Sequence, residues 1–177
     1  VPEGAENWMP VLITLGTVNV LYGAVSAMSQ TDLKYIIGYS SVSHMGYVLM
    51  GIATLDRIGV GGAVLQMFSH GIMTALMFLL VGAIYDRTHT RDIYALKGLF
   101  SRMGVTGFFF AIAGLASLGL PGLSGFIAEF MVFTGAFRTY LPLAVLGVVG
   151  AALTAIYILR LLARTFSGKP SRYYWEN

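Results

Sequence analysis

Apolar residues in this chain come in long blocks separated by brief polar clusters. Five blocks, at residues 10–29, 35–54, 61–84, 105–137 and 141–163, reach the ~20 residues that a helix needs to cross the hydrocarbon core of a bilayer. The links after the first, second and fourth blocks are short, which predicts antiparallel neighbours packed as hairpins. The third link, 85–104, holds most of the polar material, and residues 164–177 are polar and basic. The pattern predicts an all-α polytopic membrane protein, one membrane unit over residues 1–177 with five transmembrane helices.

The fourth block departs from the others, because 105–137 is too long for one straight crossing. Its middle reads ASLGLPGLSGFIAEFMVF (116–133) and carries Pro121, Gly122 and Gly125. Proline removes a backbone donor and clashes with the preceding turn. The expectation is a discontinuous helix broken at these three residues. Within a membrane such a break survives only where protein or a water-lined cavity surrounds it, and in transporters it sits at the working site. A plain proline kink is the simpler alternative.

Composition supports the membrane reading. Of 177 residues, 56% are hydrophobic and 11% charged, with mean hydropathy +0.75. A soluble domain carries about 25% charged residues. There is no cysteine, hence no disulfide or thiolate metal site, and a net charge of +3 in so apolar a chain gives no reason to expect nucleic acid. The first residues, VPEGAENW, do not form a signal peptide. With no initiator methionine, the sequence is read as a piece of a longer protein.

Lys and Arg set the expected orientation. Lys34, Arg87, Arg91, Lys97, Arg102, Arg160, Arg164, Lys169 and Arg172 fall on one side of the alternating spans, and Arg57 and Arg138 on the other. The positive-inside rule then places loop 85–104 and the C-terminus in the cytoplasm, or its organellar equivalent, and the N-terminal segment outside.

Polar residues at membrane depth are the candidates for chemistry. Glu129 is the one acidic residue inside any of the five blocks. A charged side chain there costs roughly 2.5–3.5 kcal/mol on insertion scales, and such residues usually face the bundle interior and serve function. The plainer alternative is a protonated glutamate that plugs the open carbonyls of the broken helix. His44 and His70 lie near the centres of the second and third blocks. Ser40 and His44 share a helical face, as do Gln66, His70 and Thr74. Tyr39 lies beside the first pair, and Asn19, Tyr22, Ser26 and Ser29 form a stripe on the first block. Facing stripes of this kind predict a hydrogen-bonded axis. Imidazole both donates and accepts, so Glu129, His44 and His70 at one level suit a proton relay. The alternative for the hydroxyls is glue between helices, at about 0.6 kcal/mol per pair. No metal site is expected, since the histidines lack ligand spacing. His89, in YDRTHTRD (85–92), reads as a loop contact, and Lys34 as an interfacial anchor. No phosphate loop, nucleophile elbow or cofactor fingerprint is present.

The segments QTDLKYIIGYSSVSHMGYVLMGI (30–52), LQMFSHGIMTALMFLLVGAIYDRTHTRDI (65–93) and the broken block 116–133 closely resemble the antiporter-like subunits of respiratory complex I, from about Trp8 to Gly168. The resemblance implies a fold of fourteen helices built on two inverted five-helix repeats. This chain is similar to the second repeat, with the break in its fourth helix. It implies that Glu129 occupies the proton-carrying position and that His44 and His70 lie on the central hydrophilic axis. Glutamate at 129, together with YDRTHTRD, favours the M type (chain 4) over the L and N types, which typically carry lysine there. The first repeat, with its own glutamate and lysines, has no counterpart here, and a lysine in a broken helix upstream of Val1 is expected.

The resemblance further implies a proton-translocating membrane-arm subunit coupled to electron transfer from NADH to quinone. Its partners would be L- and N-type neighbours and the lipid bilayer, in a bacterial inner membrane or a thylakoid or organellar one. No cofactor is expected in this chain. The complex would carry FMN, iron-sulfur clusters and quinone in other subunits. The rivals are the large subunit of a multisubunit cation/proton antiporter, the membrane subunit of an energy-converting hydrogenase, and a purely structural membrane subunit.

Overall fold

A computed structural model describes residues 2–168; Lys169 and Arg172, counted above among the cations of one side, lie outside that range. The chain forms a bundle of helices: α1 (Pro2–Glu6), α2 (Met9–Ser29), α3 (Leu33–Ala53), α4 (Arg57–Thr88), α5 (Gly104–Ser117), α6 (Ser124–Thr139) and α7 (Leu141–Phe166). A 3-10 turn, Leu99–Ser101, lies in the loop before α5. Among the described residues four helices, α2, α3, α4 and α7, are long and apolar enough to cross a membrane. The fifth apolar block is divided, with α5 of 14 residues and α6 of 16 residues each too short to cross alone.

Local chemistry sets the ends of these helices. Asp32 caps α3 by accepting from the Lys34 amide at 2.7 Å, and Asp56 caps α4 by accepting from the Ile58 amide at 3.3 Å. Helix α4 runs four residues past the expected end of its block and stops at His89, whose left-handed φ of 52° lets its amide bond the Tyr85 carbonyl at 2.7 Å. The loop that follows is strapped to the α2–α3 turn. Leu33 N–H bonds Arg91 O at 2.9 Å, Ile93 N–H bonds Thr31 O at 2.9 Å, and Arg91 pairs with Asp32 at 3.2 Å. Arg160 of α7 reaches the same end, donating to Met28 O at 2.6 Å and to Tyr94 Oη at 2.8 Å.

The break in the fifth block is a helix terminus of defined type. Leu120 N–H bonds Leu115 O at 3.2 Å, and Gly119 N–H bonds Ala116 O at 3.3 Å with Gly119 at φ 69°. This is a Schellman closure: glycine adopts the left-handed position that an L side chain disfavours, and the proline shortly after cannot continue the helix. Gly122, at φ 102°, turns the chain again before α6 begins.

Apolar packing falls into two clusters. One gathers Ile36, Ile37, Met77, Ile84, Phe110 and Ile158 among its members, toward the end that holds the strapped loop. The other gathers Ile13, Val20, Tyr47, Met50, Val132 and Ala144 toward the opposite end. Buried polar residues include His44, Gln66, His70, Ser117 and Glu129, and on α3 His44 lies between Ile37 of the first cluster and Tyr47 of the second. The outer surface is apolar as well, with Leu15, Val25, Phe68, Leu79, Phe108 and Ile156 exposed, as suits contact with lipid.

Helices α2 and α3 approach closely through glycine. A Cβ at Gly46 would lie 2.6 Å from Gly16 O and 2.6 Å from a Val20 methyl carbon. Gly38, on the same helix, has nothing within 4 Å. Gly46→Val is therefore expected to destabilise the hairpin by about 1–3 kcal/mol through overpacking. Gly38→Ala is expected to be neutral or slightly stabilising, since alanine is the better helix former. Thermal unfolding of the two variants in detergent checks the contrast, and equal losses would contradict it.

Candidate functional site

The site starts from the break. Because α5 ends at Ser117 and α6 restarts at Ser124, Glu129 lies on the second turn of a helix that begins inside the bundle. Its side chain turns back toward the break: a Cβ on Gly119 would sit 2.6 Å from Glu129 Oε2. Gly119 thus leaves room for the carboxyl as well as closing α5. Glu129 is 8% exposed, and its other oxygen, Oε1, lies 3.7 Å from His44 Nδ1.

His44, 1% exposed, is the hub. Its Nε2 pairs with Ser117 Oγ at 3.1 Å, and its Nδ1 receives the Gln66 amide nitrogen at 3.3 Å. Its ring stands 5.1 Å, centre to centre, from that of His70. His70 Nε2 pairs with Ser41 Oγ at 3.2 Å, and Thr74 Oγ1 lies 3.1 Å from the same nitrogen. Helices α3, α4, α5 and α6 therefore each contribute to one continuous polar cluster. Gln66 Oε1 is buried and, among the described residues, has no hydrogen-bond partner.

The candidate residues divide on this geometry. Glu129, His44, His70, Gln66 and Thr74 are brought together, and Pro121, Gly122 and Gly125 lie in or beside the break. Gly125 permits the two half-helices to touch, since a Cβ there would be 2.7 Å from Ala116 O. Ser40 is buried but points to another partner, accepting from Tyr157 Oη at 2.7 Å. Tyr39 is placed elsewhere, edge-on to Tyr22 at 6.4 Å between ring centres and packed against apolar residues. The stripe on the first block does not reach the cluster either: Tyr22 and Ser29 are exposed, and Asn19 and Ser26 half-buried. The face of α2 that packs inward is instead Gly16, Thr17, Val20, Gly23, Ala24 and Ala27. Helical spacing had put the polar residues of α2 on one face, but the close glycine packing against α3 turns that face outward. His89 is the left-handed cap of α4 with its ring edge-on to Tyr85.

Several participants escape a reading by residue type. Ser117 was a single hydroxyl in an apolar run, and only its place just before the break could have drawn attention. Tyr157, Tyr47 and Thr154 make a second branch: Tyr157 Oη donates to Ser40 Oγ at 2.7 Å, Tyr47 Oη to Gly147 O at 3.4 Å, and Thr154 Oγ1 to Gly150 O at 3.1 Å. Ser69 and Ser124 share a hydrogen bond at 2.7 Å across α4 and the start of α6. They border a groove of about 180 Å³ whose walls include Met73, Leu76, Ala113 and Ala116. Among the described residues no three His, Cys, Asp or Glu side chains converge closely enough to hold a metal ion.

Comparison with known proteins adds family information to this geometry. The model of the family described as "NADH:quinone oxidoreductase/Mrp antiporter, TM" matches residues 3–154. The chain is 46% identical over 175 residues to an NAD(P)H-quinone oxidoreductase chain 4 of Synechococcus elongatus, covering 94% of this chain and 32% of that protein. It is 46% identical over 174 residues to the chain 4 of Gloeobacter violaceus, covering 94% and 33%. The chain thus spans about a third of the length of the curated relatives it matches. Among solved structures, a chain of respiratory complex I from Thermus thermophilus with bound NADH superposes with TM-score 0.93 at 33% identity, over 96% of this chain and 36% of that one. A chain of the Mrp complex from Dietzia sp. superposes with TM-score 0.90 at 27% identity, over 96% and 32%. With a model match over most of its length, and a helix broken beside a buried glutamate, this multi-pass membrane chain belongs to the NADH:quinone oxidoreductase/Mrp antiporter transmembrane family.

Proposed function

We propose that the full-length protein is a proton-translocating membrane-arm subunit of a quinone oxidoreductase, of the chain 4 type, and that this segment carries the part of the proton path that includes Glu129. The observation that carries the reading is Glu129 itself. It is buried between two apolar clusters, 3.7 Å from His44 Nδ1, with its second oxygen against the Gly119 backbone in a broken helix. A group so costly to place is retained for what its charge does.

In this reading, electron transfer in other subunits, which hold the redox groups, drives electrostatic change along the membrane arm. Protons pass along the histidines and hydroxyls to Glu129 and then leave toward the outside. Alternation requires that Glu129 be protonated while loading and charged while releasing. Approach of a cation favours the charged form and expels the proton. The groove beside Ser69 and Ser124, otherwise walled by apolar side chains, borders the break. The segregation of cations supports placing the strapped loop in the cytoplasm, and the complex I relatives support other subunits of such a complex as partners, with L- and N-type neighbours as the finer proposal.

The likeness to the Mrp complex favours a second reading, a cation/proton antiporter subunit using the same polar cluster. Sodium-dependent proton transport in vesicles, independent of quinone reduction, would select it.

Three variants of the full-length protein test the first reading. Glu129→Gln is expected to abolish proton pumping in proteoliposomes while the complex assembles, and normal pumping would remove Glu129 from the path. Gly119→Ala places a Cβ against Glu129 Oε2 at a left-handed φ, and displacing the carboxyl is expected to slow pumping on the order of tenfold. His44→Leu with His70→Leu is expected to stop proton transfer. If that pair lowers only thermal stability, the polar cluster is structural glue.

A further inference from the structure

Gln66 stands where His44 meets Glu129. Its amide nitrogen and Glu129 Oε1 both address the same atom, His44 Nδ1, at 3.3 and 3.7 Å. The opposite ring nitrogen is held by Ser117 Oγ at 3.1 Å. Gln66 is 2% exposed, and its Oε1 is without a partner among the described residues.

An imidazole nitrogen either carries a proton or offers a lone pair. When Nδ1 accepts the Gln66 N–H, it is the lone-pair nitrogen, and the neutral ring carries its proton on Nε2, donating to Ser117. In that state the lone pair that could take a proton from Glu129 is already occupied. A half-turn of the amide would bring Oε1 to Nδ1, where it can accept only from an N–H. The two amide orientations thus fit the two ring tautomers one to one. The unpartnered Oε1 makes the turn easier, because rotation breaks no bond at that end and an orphaned buried carbonyl is unfavourable.

We propose that Gln66 is a positioning residue that gates proton exchange between His44 and Glu129 by matching its amide orientation to the His44 tautomer. This rests on the relay reading above. With Oε1 at Nδ1, the ring carries its proton there and a lone pair on Nε2. A proton arriving at Nε2 makes the imidazolium. The Nδ1 proton then passes to the Glu129 carboxylate, leaving a carboxylic acid and a neutral ring protonated on Nε2. The amide turns its N–H to the bare Nδ1, which is the arrangement in the structure, and closes the return path. The ring returns to the starting tautomer by giving up its Nε2 proton and taking one on Nδ1 through exchange with water, with the amide following. Only a proton has changed hands.

The test uses the assembled complex with ¹⁵N-labelled histidine, the His44 signal being assigned by its loss in His44→Gln. Gln66→Met keeps the volume and removes both ends of the amide. Gln66→Asn keeps the amide but withdraws it from Nδ1, and is read if the first variant fails to assemble. Loss of one ordinary hydrogen bond is expected to shift the His44 tautomer ratio about fivefold toward parity. Proton-to-electron ratio measured against an imposed gradient is expected to fall while quinone reduction continues, because protons return from Glu129 to His44. An unchanged proton-to-electron ratio overturns the gate, whatever the tautomer signal does. Glu129→Gln separates the two levels: normal pumping there defeats the relay itself. Abolished pumping there, with indifferent Gln66 variants, defeats only the gate.

Discussion

One carboxyl group placed between two apolar clusters constrains much of this structure. Glu129 cannot be left bare in a medium that does not solvate it. A continuous helix would surround it with side chains alone. By ending α5 at Ser117 and restarting α6 at Ser124, the chain brings backbone at Gly119 to membrane depth, and one carboxylate oxygen lies against it. The other oxygen turns to His44, which is itself held by Ser117 from the last turn of α5. The break therefore serves twice, as the surroundings of the acid and as the support of its neighbour.

Close helix packing follows from the same demand. Polar groups on four helices can meet only if the backbones approach, and small residues at the crossings permit this. Gly46 meets Gly16 between α2 and α3, and Gly62 meets the Val132 amide between α4 and α6. Above and below the polar level, the two apolar clusters hold the helices in register. At one end the Asp32–Arg91 pair and the strapped loop tie the α2–α3 turn to the far end of α4. Surface ion pairs contribute little by themselves, about 0–1 kcal/mol. The backbone bonds on either side of this one give it a fixed geometry.

Much of the architecture was legible before any coordinates. Block length and hydropathy place the long helices, because a bilayer imposes one scale on all of them. The break at Pro121 and Gly122 is legible because proline and glycine act locally. The isolation of Glu129 in an apolar run was equally plain. The polar stripe of α2 was misleading: spacing gives a shared face but not the direction in which that face points. Tyr39 failed for a related reason, being five positions before His44 and so on another face of the helix from it. Ser117 and Tyr157 carried too little signal, one a lone serine and the other a common aromatic in an apolar helix.

By itself the sequence determined what is local or additive: the number of apolar blocks, the break, and the presence of an acid and two histidines at membrane depth. These follow from backbone sterics and from the cost of charge in hydrocarbon, which each segment feels alone. Only the tertiary structure decided which polar groups meet. The contacts of His44 with Ser117 and Gln66, its distance to Glu129, and the unpartnered oxygen of Gln66 join residues far apart in the chain. Such contacts depend on the rotation of each helix about its axis. Packing against every neighbour sets that rotation, and no single stretch of sequence contains it.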